Sequence, residues 1–134
     1  MIKFTYERQE SKVFGTICRP IAEVFFRKRD TDRWVKMSLI IDSGADVTLL
    51  PKMYARTLGI DINECEEQET RGVGGSVKIY LCDKLQARLN GTRLQAKVGF
   101  VDTADLPPLL GRIDFFDFFE ICFRKREIVF EQAS

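Results

Sequence analysis

Apolar residues recur at every second position over much of this chain: Val77, Ile79 and Leu81, then Leu85, Ala87 and Leu89, then Leu94, Ala96, Val98 and Phe100. Alternation of period two puts such side chains on one face of a pleated strand, so these runs predict half-buried β-strands. Asn90-Gly91, between the second and third runs, is the strongest short-range hairpin signal in the chain. Upstream, Val13 to Phe26 is rich in apolar and β-branched residues, and the polar stretch Arg27 to Arg33 separates it from Trp34 to Ile41. That is the pattern of a hairpin with a long loop.

Other segments punctuate the strands. After the strand text Val47 to Leu50, Pro51 suits the first turn of a short helix and Gly59 its stop. Asp61 to Thr70 is acidic and polar, and Gly72-Val73-Gly74-Gly75 then tips a hairpin that continues into Val77, a candidate flap. Asp102 to Pro108 reads as a loop, and Leu109-Leu110 as a short buried strand. Ile113, Phe116 and Phe119 recur every third residue like one face of a helix, with the phenylalanines as core. Ile121 to Phe123 and Glu127 to Phe130, either side of Arg124-Lys125-Arg126, predict a closing strand pair. The expectation is a mostly β fold with one or two short helices. Without a repeat, low-complexity tract or linker, residues 1–134 read as a single domain, large enough to bury roughly 65 to 70% of the unfolded surface.

Charge narrows the function classes more than it names one. Lys and Arg number 21 against 20 Asp and Glu, so no long-range field gathers nucleic acid or anionic lipid. The basic Arg27 to Arg33 stretch carries two aspartates and reads as a solvated loop. No apolar stretch approaches the length of a membrane span, and the N-terminus lacks a signal-like apolar core. A soluble cytoplasmic protein is expected. Cys18, Cys65, Cys82 and Cys122 are widely spaced in strand-like text, which predicts reduced thiols there. The chain has no histidine, so Ser-His and Cys-His nucleophile pairs and ordinary His-ligated zinc are unavailable. No metal or other cofactor is expected, and the candidate chemistry rests on carboxylates.

One carboxylate stands out. In Leu39-Ile40-Ile41-Asp42-Ser43-Gly44-Ala45-Asp46-Val47-Thr48-Leu49-Leu50, an ionisable turn is wedged between two apolar runs. A buried lone carboxylate is costly and needs a reason. Asp-Ser-Gly alone is a common turn, with Asp capping the backbone and Gly accepting positive φ. Its context is distinctive: apolar flanks, a glycine-tipped hairpin downstream, and a second apolar pair breaking at glycine in Leu109-Leu110-Gly111-Arg112. Competing readings fail on residue type. A phosphatase-type Asp-x-Asp needs an acid where Gly44 stands, and the Gly72 to Gly75 spacing fits neither a dinucleotide nor a Walker loop. Asp102 and Asp105 fall in proline-rich loop text, and Asp114 and Asp117 read as helix-surface charges.

These two segments resemble the active-site framework of retropepsin-type aspartic proteases, and the ending of the chain is more similar to cellular, bacterial or archaeal single-domain members than to viral ones. The resemblance implies an acid-protease half-barrel with a flap, and peptide hydrolysis by Asp42. It gives Ser43 a bracing role in the turn, lets the backbone pack closely at Gly44, counts Ala45 with them as support of the turn, and matches Gly72, Val73, Gly74 and Gly75 to the flap tip. It also implies a partly buried ion pair between Asp46 and Arg112, and an Arg19-Pro20 that reaches across a subunit interface. Two apposed carboxylates sharing a proton can both activate water and protonate a leaving group. The chain holds Asp-Ser-Gly once, so the partner must be a second copy across a two-fold axis. The implied function is a homodimeric aspartic endopeptidase acting on a polypeptide. The competing expectation is a catalytically silent dimeric peptide-binding or assembly module of the same fold.

Overall fold

The computed structural model describes residues 1–72, 75–103 and 105–133. Three alternating runs become two long strands, β8 (Gly75–Leu89) and β9 (Thr92–Val101), joined at Asn90-Gly91 as the sequence predicts. Both turn residues hold positive φ, 47° at Asn90 and 107° at Gly91. The runs 77–81 and 85–89 are one strand rather than two, because a bulge between Cys82 and Leu85, with Lys84 at φ 59°, absorbs the break in alternation.

The long-loop hairpin also forms, but from a shorter piece. β4 (Ile21–Arg27) pairs antiparallel with β5 (Trp34–Ile41), while β3 (Gly15–Arg19) pairs with β2 (Glu7–Ser11) in a separate two-stranded sheet. Pro20 divides Val13–Phe26 into these two strands, since it has no N–H for a continuing ladder.

The main sheet also contains β6 (Thr48–Pro51), β7 (Glu66–Gly72) and β10 (Leu109–Leu110), in the order β4-β5-β10-β6-β9-β8-β7. Phe25 and Phe26 of β4 also pair with Arg88 and Ala87 of β8, so the sheet curls back on itself and β7 is left as its outer edge. Val24, Phe26, Leu39, Leu50, Leu89, Val98, Phe100 and Leu110 fill the interior, all fully buried. A second, three-stranded sheet joins β1 (Ile2–Thr5), β12 (Glu127–Gln132) and β11 (Phe119–Phe123). Edge-on contacts of Phe130 with Phe4 and Phe119, at 5.4 and 5.5 Å between ring centroids, knit that sheet together.

Three expectations need correction. Pro51 ends β6 instead of opening the helix, which is α1 (Met53–Thr57), although Gly59 follows its end at φ 68° as a stop should. The helix expected over Ile113 to Phe119 is only a broken turn at Arg112–Phe116: Ile113 has ψ 127° and Asp114 φ 73°. Asp114 is drawn aside by its carboxylate, which accepts the Lys97 N–H at 2.7 Å, and Phe119 already pairs with Gln132 in β11. Those long-range bonds override the three-residue period, though Phe115 and Phe119 are core. Finally, two of the four cysteines are not thiols. Cys65 and Cys82 form a disulfide with Cα atoms 5.1 Å apart, leaving Cys18 and Cys122 free and exposed.

Candidate active site

Asp42 is the first residue after β5, whose Met37, Leu39 and Ile41 point into the core. Its position is set by a strand insertion. β10 lies between β5 and β6, parallel to the first and antiparallel to the second, so Leu110 pairs with Ile41 and Leu109 with both Ile40 and Leu49. The Asp42 N–H then donates to the Leu110 carbonyl at 3.0 Å. An apolar pair is required at Leu109-Leu110 because a strand inserted in the middle of a sheet is covered on its inner face; Leu110 is fully buried.

The turn after Asp42 is held by its own carboxylate. Oδ1 of Asp42 accepts the Gly44 N–H at 2.9 Å and its carbonyl accepts the Ala45 N–H at 3.2 Å. A Cβ at Gly44 would stand 3.2 Å from that same Oδ1, which explains a glycine here. Asp42 is half-buried, Ser43 and Gly44 are exposed, and Ala45 is half-buried. The carboxylate therefore sits at the rim of the core, not inside it, and the desolvation cost anticipated from its apolar flanks is correspondingly smaller.

The two sequence motifs clasp each other through backbone. Arg112 N–H donates to the Ala45 carbonyl at 2.9 Å and Ile113 N–H to the Asp46 carbonyl at 2.8 Å. Between them, the fully buried Thr48 hydroxyl accepts the Gly111 N–H at 3.0 Å. Gly111 passes so close to β6 that a Cβ would overlap the Val47 carbonyl and lie 2.7 Å from the Thr48 nitrogen. Only glycine allows this approach.

The expected Asp46–Arg112 ion pair is absent from the ion pairs among the described residues, and both side chains are exposed. Their main chains already fix the spacing between the segments, and two solvated charges gain little by pairing. Nor does the Ser43 hydroxyl bond any described residue; the Asp42 carboxylate braces the turn in its place. Arg19 is exposed at the end of β3, with its Nε donating to Gln9 Oε1 at 2.9 Å.

Beside the turn lies a groove of about 380 Å³. Ile21, Ile40, Pro107 and Pro108 supply its apolar surface, and Glu7 and Arg19 of the β2–β3 hairpin its polar rim. Ile40 is two residues before Asp42, and its N–H donates to the Pro108 carbonyl at 2.9 Å, so the same strand positions both groove and carboxylate. In the glycine-tipped hairpin, Gly72 and Gly75 form the last pair of the β7–β8 ladder, with Gly75 at φ 108°. Val73 and Gly74 lie outside the described residues. Sequence reasoning passes over Thr48 and the Pro107-Pro108 wall: the hydroxyl is hidden in a strand-like run, and paired prolines carry only a loop signal.

No family model matches this chain. No curated protein matches it either. Solved structures do. A retropepsin-like aspartic protease from Rickettsia conorii superposes with a TM-score of 0.68 over 96% of this chain and 98% of its own, at 17% identity. The EIAV protease in complex with the inhibitor HBY-793 superposes with a TM-score of 0.52 over 70% of this chain and 82% of its own, at 22% identity. The inserted strand, the curled sheet and these superpositions define one class of architecture: the chain has the retropepsin-like fold.

Proposed function

We propose that this protein is an aspartic endopeptidase whose catalytic unit is a homodimer, with the Asp42 carboxylates of two copies facing each other across a two-fold axis. The observation that carries this reading is the Asp42 turn: an inserted strand, a bracing carboxylate and a glycine contact hold one half-exposed carboxylate at the end of β5. A group held that firmly at a surface is suited to meeting a partner in fixed geometry.

In the dimer, one proton is shared between the two carboxylates. A water lying between them loses a proton to the ionised carboxylate as it attacks the scissile carbonyl, and the protonated carboxyl polarises that carbonyl. The proton taken up then passes to the departing amine. The substrate is an extended polypeptide, bound by main-chain hydrogen bonds beneath the two β7–β8 flaps, with an apolar side chain on Ile21, Ile40, Pro107 and Pro108. Neither metal nor cofactor takes part. Arg19 is proposed to reach toward the partner subunit, a role compatible with its exposed position on the groove rim.

The test is cleavage of a mixed peptide library between about pH 4 and 7. Wild type should cleave and be blocked by the transition-state mimic pepstatin, and Asp42→Asn should lose about 10³-fold or more. Wild-type protein that cleaves nothing would favour the second reading, a catalytically silent dimeric peptide-binding or assembly module. One observation favours that alternative: β1 and β12 pair with each other within the chain, so the terminal strands join a sheet without a partner subunit.

A further inference from the structure

β7 is held in an unusual way. It is the outermost strand of its sheet, and its residues 66 to 69, Glu-Glu-Gln-Glu, are all exposed, so none of these four side chains reaches the core. Edge strands normally keep their place by burying one face. Here, among the described residues, the strand has its ladder with β8 and one ion pair, Lys78–Glu67 at 3.3 Å, with both side chains about half-exposed. The hydrogen bond from Lys78 to Glu67 raises the lysine pKa above its ordinary value. On the lysine side, that contribution is present below the ordinary lysine pKa and is lost as pH rises through the raised one. In solvent it is a weak tie.

The remaining tie is covalent. Glu66 pairs with Leu81 as the first rung of the hairpin, and the next residue on each side is Cys65 and Cys82. The disulfide thus closes the root of the hairpin across 17 residues of sequence. Cys82 is buried and paired with Val98 of β9, while Cys65 ends the 3-10 turn Ile62–Glu64 and is half-buried. One half of the bond belongs to the core and the other to the outer edge of the sheet.

We propose that Cys65–Cys82 is a redox-operated staple that holds β7 on β8. A dithiol reductant donates two electrons and two protons, leaving two cysteine thiols and its own cyclic disulfide; a disulfide oxidant reverses the exchange. Reduction frees the start of β7 and loosens the hairpin from its root, while β8 beyond the bulge stays fixed. That segment has Leu85, Ala87 and Leu89 buried and is paired with both β9 and β4. In a reducing compartment such as the cytoplasm expected from the sequence, the staple stands open until oxidation closes it. Its consequence for catalysis rests on the reading of this hairpin as the flap of a protease.

Two measurements on the intact protein test it. After treatment with a disulfide oxidant, alkylation under denaturing, non-reducing conditions should tag Cys18 and Cys122 alone, and all four cysteines after a dithiol; four tags on the oxidant-treated protein would overturn the proposal. Hydrogen exchange should then speed up about tenfold or more at residues 66 to 69 and 76 to 78 on reduction, leaving residues 85–89, which pair with β9 and β4, and β11–β12 unchanged. Cys65→Ser/Cys82→Ser should behave like the reduced form. Unchanged exchange in the hairpin, or equal loss of protection throughout the chain, would overturn the staple. Because exchange is read without substrate, the staple can stand if no peptide is cleaved, and the protease reading can stand if exchange does not move. Where cleavage occurs, it should fall on reduction and recover on reoxidation.

Discussion

Gly111 and Thr48 carry more of the site's geometry than the charged residues around them. The Gly111 N–H ends on a hydroxyl that is fully buried, and its α-carbon faces the Val47 carbonyl with no space for a methyl group. Gly111→Ala must therefore separate β6 from the inserted strand, at a cost of about 2 to 4 kcal/mol in denaturant unfolding. Arg112→Ala, next in the chain, removes an exposed side chain with no ion pair among the described residues and should change stability by less than about 0.5 kcal/mol. The residue pattern Leu-Leu-Gly-Arg and the Asp-Ser-Gly turn were legible because apolar runs broken by glycine are a strong local signal. That the Asp46 and Arg112 side chains do not pair was not legible, because whether two side chains meet depends on rotamers and solvent exposure that spacing does not encode.

At the scale of elements, legibility followed how local the determining contacts are. The β8–β9 hairpin rests on a two-residue turn and uninterrupted alternation, and it formed where the sequence put it. Gly91 holds φ 107°, and a Cβ added there would meet nothing within 4 Å, so its requirement is conformational alone. Gly91→Ala should cost about 1 kcal/mol in unfolding free energy without moving the fold, as seen by circular dichroism. The segment after Gly111 misled for the opposite reason. Its three-residue period is real, yet the Asp114 carboxylate bonds to Lys97 and Phe119 pairs with Gln132, contacts 17 and 13 residues away in sequence that no periodicity contains. The disulfide was hidden likewise: Cys65 and Cys82 become neighbours only once the hairpin between them folds.

At the scale of the whole molecule, the proposed reading makes each chain half of a catalytic site. The inserted strand β10 brings two distant segments together, and the curled sheet presents one Asp-Ser-Gly turn per chain. The three-stranded sheet of β1, β12 and β11 uses both ends of the chain internally. The strength of a dimer that apposes two Asp42 turns was not legible in the sequence, because an interface has no periodicity of its own.

The most direct test of the two-copy site is to mix wild-type and Asp42→Asn chains at fixed total concentration, allow subunits to exchange, and measure peptide cleavage against the wild-type fraction. A site made from two Asp42 carboxylates predicts activity that falls as the square of that fraction. Activity in simple proportion to the wild-type chain would mean that one carboxylate suffices, and would contradict the account.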